Sequence, residues 1–88
     1  MNSIKLITYG KSLGTRAQAE KLRNSILDNS IVEFDFKEIS IISNSFADEL
    51  FGIYVQKNGI EKLLKNVRIK NTNAEVAATI KQAIYSRI

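Results

Sequence analysis

Apolar residues alternate with polar ones in two stretches and recur at helical spacing in three others, and this pattern lays out the chain. From Ser30 to Phe36, Val32, Phe34 and Phe36 point one way while Ile31, Glu33 and Asp35 point the other, as in a strand with one buried face. Val67-Arg68-Ile69-Lys70 alternates likewise. Ser3 to Tyr9, rich in β-branched and aromatic residues, predicts a further strand that ends at Gly10. Thr15 then opens a helix, with Gln18 three residues on as in a capping box, and Ala19, Leu22 and Ile26 form its buried stripe. Ser45 to Lys57 predicts a second helix, with Ala47, Leu50, Phe51 and Tyr54 on one face. Asn58-Gly59 stops it, and Glu61 to Lys65 predicts one further turn. Asn73 caps a last helix that carries Val76, Ala77, Ile80, Ala83 and Ile84 inward.

The order is therefore β-α-β-α-β-α, an α/β class. Right-handed βαβ crossovers make such a sheet mostly parallel. Two strands with a polar face predict helices mainly on one side of the sheet, because a doubly covered parallel sheet would show nearly continuous apolar strands. The expected architecture is a small two-layer sandwich, and 88 residues without linker, repeat or low-complexity stretch make a single domain over 1–88. A chain of this length buries only about 60–65% of its unfolded surface, so each large apolar residue matters.

Composition then narrows the chemistry. The absence of cysteine removes disulfides, thiolate nucleophiles and thiolate metal sites. The absence of histidine removes the commonest general base and the commonest metal ligand. These two absences argue for a binding module and not an enzyme, with no catalytic residue, metal or cofactor assigned. They also favour the cytoplasm, and no apolar run is long enough for a signal peptide or a membrane span. The net charge of +4 is a mild basic excess that permits an acidic partner without requiring one.

Three near misses follow. Gly10-Lys11-Ser12 succeeds a strand but lacks the upstream glycine of a triphosphate loop, that position being Lys5, and so reads as a plain turn. Glu33 and Asp35 read as a solvated sheet face, although Asp35 sits near the carboxyl end of its strand, where open α/β sheets hold ligands. Lys57, Lys62, Lys65, Arg68 and Lys70 make the densest basic stretch, yet without the interleaved aromatics or single recognition helix of nucleic-acid modules. Nucleic acid is accordingly a rival reading only.

Residues 31–36, Ile31-Val32-Glu33-Phe34-Asp35-Phe36, followed by Ile39 and then Ser45-Phe46-Ala47-Asp48-Glu49-Leu50-Phe51, resemble the bacterial STAS-like domain family of unknown function, with its "LDF…FADEL" signature. Tyr9-Gly10, Leu13-Gly14-Thr15-Arg16 and Ala19 resemble that family's opening, and the Asn73 helix its ending. The family is similar in turn to anti-sigma factor antagonists, in which an Asp-Ser-Ser-Gly motif opens a helix and its second serine is phosphorylated by a kinase-like partner. Laid on this chain, that motif falls on Ser43, Asn44, Ser45 and Phe46, and only Ser45 keeps its residue type.

The resemblance implies a STAS-like fold and a regulatory protein–protein interaction, the partner class being a histidine-kinase-like ATPase or another signalling protein. Ser45, Phe46, Asp48, Glu49, Arg16 and Asp35 are the candidate contact or switch residues. Physics assigns Ser45 first as a helix N-cap, with Asp48 three residues on. A phosphate there would gain from the helix dipole but meet Asp48 and Glu49 in the same turn. Arg16 opposes the dipole of its own helix, which predicts an ion pair to Asp48 or Asp35 that clamps two helix starts together. Phe46, if exposed, would anchor a partner. The rivals are a nucleic-acid-associated or phage-defence accessory protein using the basic edge, and a small ligand-binding or enzymatic domain centred on Arg16 and Asp35. An edge strand leaves a homodimer open.

Overall fold

The computed structural model describes residues 2–10 and 12–88. The turn reading for Lys11 lies outside the described residues. Five strands and five helices succeed one another: β1 (Asn2–Lys5), β2 (Ser12–Leu13), α1 (Arg16–Arg23), β3 (Val32–Asp35), β4 (Ile41–Ile42), α2 (Asn44–Ala47), α3 (Ile53–Asn58), α4 (Ile60–Asn66), β5 (Val67–Lys70) and α5 (Ala74–Tyr85). A π-helical segment, Asp48–Gly52, joins α2 to α3 without a break. Among the described residues no helix is long and apolar enough to cross a membrane.

The main sheet has the order β1-β3-β5, and both pairings are parallel. Register places Glu33 between Ser3 and Arg68, and Asp35 between Lys5 and Lys70. In a parallel sheet such neighbours share a face, so one face is polar along its whole width. On it Lys70 pairs with Glu33 at 3.0 Å and Ser3 donates to Glu33 at 3.0 Å. The other face carries Ile4, Val32, Phe34 and Val67 into a single core. Its centre is aromatic: Phe51 meets Phe34 edge-on at 5.9 Å and Phe36 at 6.4 Å. The expected α/β layering with helices mainly on one side is the observed one.

Two elements depart from expectation. The first strand stops at Lys5, and Leu6–Tyr9 form a 3₁₀ turn. Thr8 Oγ1 donates to the Lys5 carbonyl at 2.7 Å and the Gly10 amide to that of Ile7 at 3.0 Å, so local bonds replace the ladder and Leu6 turns fully into the core. Second, a two-stranded parallel pair, β2 with β4, stands apart from the main sheet. A helical segment buries consecutive residues when neighbours cover it on several sides. The π segment buries Glu49, Leu50, Phe51 and Gly52 in succession, because α1 and α5 pack on it in addition to the sheet-side aromatics.

The β2–β4 pair is small, but it aligns the starts of α1 and α2. The Ser43 amide donates to the Leu13 carbonyl at 2.8 Å, and Ser43 Oγ donates to the Gly14 carbonyl at 3.0 Å. Asn73, which also caps α5 through the Val76 amide at 2.7 Å, donates from Nδ2 to the Ser40 carbonyl at 3.1 Å. The loop before α2 is therefore tied to two other elements.

Candidate functional site

Helix α1 begins at Arg16 because Thr15 caps it, its hydroxyl accepting from the Gln18 amide at 3.2 Å. Helix α2 begins at Asn44 because Ser43 caps it, accepting from the Phe46 amide at 3.0 Å. This corrects the assignment of the cap to Ser45. Pairing to Leu13 holds Ser43 extended, at φ −76° and ψ 158°, and its hydroxyl caps the turn that begins directly after it, at Asn44. Ser45 is the second helical residue and exposed, and among the described residues its hydroxyl has no hydrogen-bond partner. Ser43→Ala is expected to cost about 1 kcal/mol in urea unfolding, whereas Ser45→Ala should leave the midpoint in place.

Phe46 is fully buried, which overturns its role as an exposed partner contact. It lies four residues before Leu50 and shares that residue's buried face.

Asp48 and Glu49 gather three arginines. Arg16 Nη1 donates to Asp48 Oδ2 and to Glu49 Oε1, both at 3.1 Å. Arg87 holds Asp48 with two bonds, Nε to Oδ1 at 2.9 Å and Nη2 to Oδ2 at 2.7 Å, and reaches Gln56 Oε1 at 2.7 Å. Arg23 Nη1 binds Glu49 Oε2 and, at 3.1 Å, the Glu49 carbonyl. The expected Arg16 clamp is present and runs to Asp48 and Glu49, while Asp35 takes no part. Arg87 foremost, with Arg16, holds the Asp48 carboxyl below its ordinary range against the opposing effect of burial. Arg16→Ala should lower the melting temperature further than removal of an unpaired surface charge such as Lys57, in a thermal scan of both variants.

Arg23 and Arg87 were not legible as members of this network. Arg23 lies seven residues after Arg16 and so shares its helix face, which was the available signal; Arg87 offered none. Gly52 permits the arrangement, since a Cβ there would sit 2.5 Å from Asp48 Oδ1 and 3.0 Å from the Ala83 carbonyl oxygen.

Above the network lies a shallow cleft of about 250 Å³, lined by Arg16, Asn44, Ser45 and Asp48 from one side and by Thr79, Gln82 and Ala83 of α5 and its cap Ser86 from the other. Asp35 lines a different cleft, of about 170 Å³, with Lys5 and Lys37. Its carboxylate is buried and closes the turn after β3, accepting from the Lys37 amide and from Asn71 Nδ2 at 2.9 Å each. Asn71 first, then that amide, holds the carboxyl below its ordinary value. Arg16 and Asp35 thus share neither a bond nor a cleft.

The basic stretch does not present one face. Lys62 pairs with Asp28 at 3.3 Å, Lys70 points with Glu33 onto the open sheet face, and Arg68 folds back to donate to the Leu64 carbonyl at 2.7 Å. Lys57 lines a cleft beside Arg23, and Lys65 another beside Asn66. Among the described residues no cluster of three carboxylates is gathered that would hold a metal ion.

Among curated proteins and among solved structures, no significant match was found. One family model does match, over residues 18–77, and is described as a STAS-like domain of unknown function (DUF4325). The matched span begins inside α1, two residues past Arg16, ends in the first turn of α5, and includes β3, the π segment and both signature carboxylates. With more than half of its length under that match, the chain belongs to the family of STAS-like domains of unknown function.

Proposed function

We propose that this domain is a regulatory protein-binding module whose contact surface is the rim around Ser45, at the starts of α1 and α2. The observation that carries the reading is the freedom of Ser45. Its neighbour Ser43 does the capping, and Ser45 itself is exposed in a cleft beside Arg16. A serine so placed is open to a partner's contact or to phosphorylation. The charge objection to a phosphate there also weakens, because Asp48 and Glu49 are matched by Arg16, Arg23 and Arg87. The partner class carried over from the family resemblance is a histidine-kinase-like ATPase or another signalling protein, in the cytoplasm of a bacterium.

A binding role is favoured over catalysis. Without histidine or cysteine, chemistry would rest on carboxylates or lysine, and Arg16 and Asp35 line separate clefts. A nucleic-acid role draws little support from a basic stretch whose members diverge and are partly neutralised.

Affinity capture of the tagged domain from its native cell, with intact mass measured on the recovered domain, tests the proposal. The expected result is a protein retained by the wild type and lost or altered with Ser45→Asp, together with a fraction of the domain heavier by one phosphate. Equal capture by wild type, Ser45→Ala and Ser45→Asp, with no phosphorylated mass, would overturn it.

A further inference from the structure

Helix α5 separates the Ser45 rim from a second surface. Thr79, Gln82 and Ser86 face the rim, whereas Lys81, Ile84 and Tyr85 line a groove of about 620 Å³ together with α4 and β5. The groove is mostly apolar, and its walls include side chains that the fold leaves in water. Leu64 is 67% exposed, Tyr85 69% and Ile69 37%. An apolar patch of this kind bounded by charges marks an interaction site more often than chance exposure does.

Charge selects among occupants. The ionised side chains lining the groove are Arg68 and Lys81, and no carboxylate is among its lining residues. A second copy docking here by two-fold symmetry would set Arg68 and Lys81 against their own counterparts, on a chain already at +4. A partner with acidic flanks meets no such cost.

Backbone geometry selects the shape. The Phe36 amide donates to the Lys70 carbonyl at 3.0 Å, so the peptide groups of Lys70 and Arg68 face β3, while those of Val67 and Ile69 face outward. Val67 is already engaged. Its amide donates to the Leu63 carbonyl as the cap of α4, and its carbonyl accepts from Arg68 Nη1 at 3.1 Å. Within β5 only the amide and carbonyl of Ile69 remain for an added strand, so the edge is blunted against strand addition.

We infer that this groove docks an amphipathic helix of a partner protein, with apolar residues on its inner face and acidic residues along its margins. This surface is independent of the Ser45 rim.

The test uses two synthetic helical peptides with leucine at i, i+3, i+4 and i+7, one flanked by glutamates and the other by lysines, titrated against the whole domain by fluorescence anisotropy. The glutamate peptide is expected to bind at least about tenfold more tightly, and Leu64→Ser or Tyr85→Ser to weaken it about tenfold, as for an interface anchor. Both positions are exposed, so unchanged melting temperatures will show that the fold is intact. Lys81→Glu should move the preference toward the lysine peptide. Equal affinity for the two peptides, or binding of neither, would overturn the inference. So would a dimer in sedimentation that Leu64→Ser dissociates, since the occupant would then be a second copy.

Discussion

Phe51→Ala should destabilise the domain by about 4 kcal/mol, the upper range for emptying a well-packed aromatic site. Phe51 is fully buried within the π segment, against Phe34 edge-on and Phe36 at a tilt. Its neighbours on the sheet side are held by the β1-β3-β5 ladder, so the cavity has little means of collapse. A small domain has only about 5–15 kcal/mol in total, and the variant should unfold at much lower urea, followed by circular dichroism. Phe51→Leu, which refills part of the volume, should cost less than half as much. A loss below about 1.5 kcal/mol for the alanine variant would mean that the aromatic cluster is not the centre of the core.

Glu49→Ala should cost about 3 kcal/mol, the next largest effect, and through a different mechanism. The Glu49 side chain is only 10% exposed and is shared by Arg23, at 16%, and Arg16, at 51%. Its removal leaves the Arg23 guanidinium buried with only the backbone carbonyl of residue 49 to bind. The penalty comes chiefly from that stranded charge and not from the attraction lost. A double-mutant cycle separates the two. Glu49→Leu combined with Arg23→Met should recover most of the stability lost by Glu49→Leu alone, because no buried charge then remains unpaired. If the double variant is instead as unstable as the sum of the singles, the network contributes by something other than charge pairing. Arg16 should matter less than Arg23, being half in water.

These two residues also show how far the chain was legible. The alternation of Val32, Phe34 and Phe36, and the caps at Thr15 and Asn73, are local signals, and the structure keeps them all. The start of α2 is not local. Ser45 with Asp48 makes the better capping pattern in the sequence, but a backbone bond from Ser43 to Leu13, thirty residues away, fixes the helix start earlier. Phe46, four residues before Leu50, lies in the core and not on the rim. The ion network was half legible. Arg16 stood out because a cation opposes the dipole at a helix start, whereas Arg23 and Arg87 look in sequence like ordinary solvated charges. Only the packing of α1 and of the chain end beyond α5 on the π segment turns them inward. Ile4, Ile7, Thr8 and Tyr9 predict a longer first strand than forms, because local bonds such as that from the Thr8 hydroxyl to the Lys5 carbonyl compete with the ladder.

The candidate site was legible in its address and not in its roles. The signature acids, read from the sequence as contact residues, brace the rim from beneath and leave Ser45 exposed above them, the residue we propose meets a partner. That arrangement is the central claim, and site-specific photo-crosslinking in the native cell reaches it most directly. A crosslinking side chain introduced at Asn44, at Ser45, or at Ser3 on the open sheet face samples the rim and a control surface of the same fold. The account predicts a discrete adduct from Asn44 and Ser45 and none from Ser3. Adducts from Ser3 alone, or from all three positions alike, would contradict it.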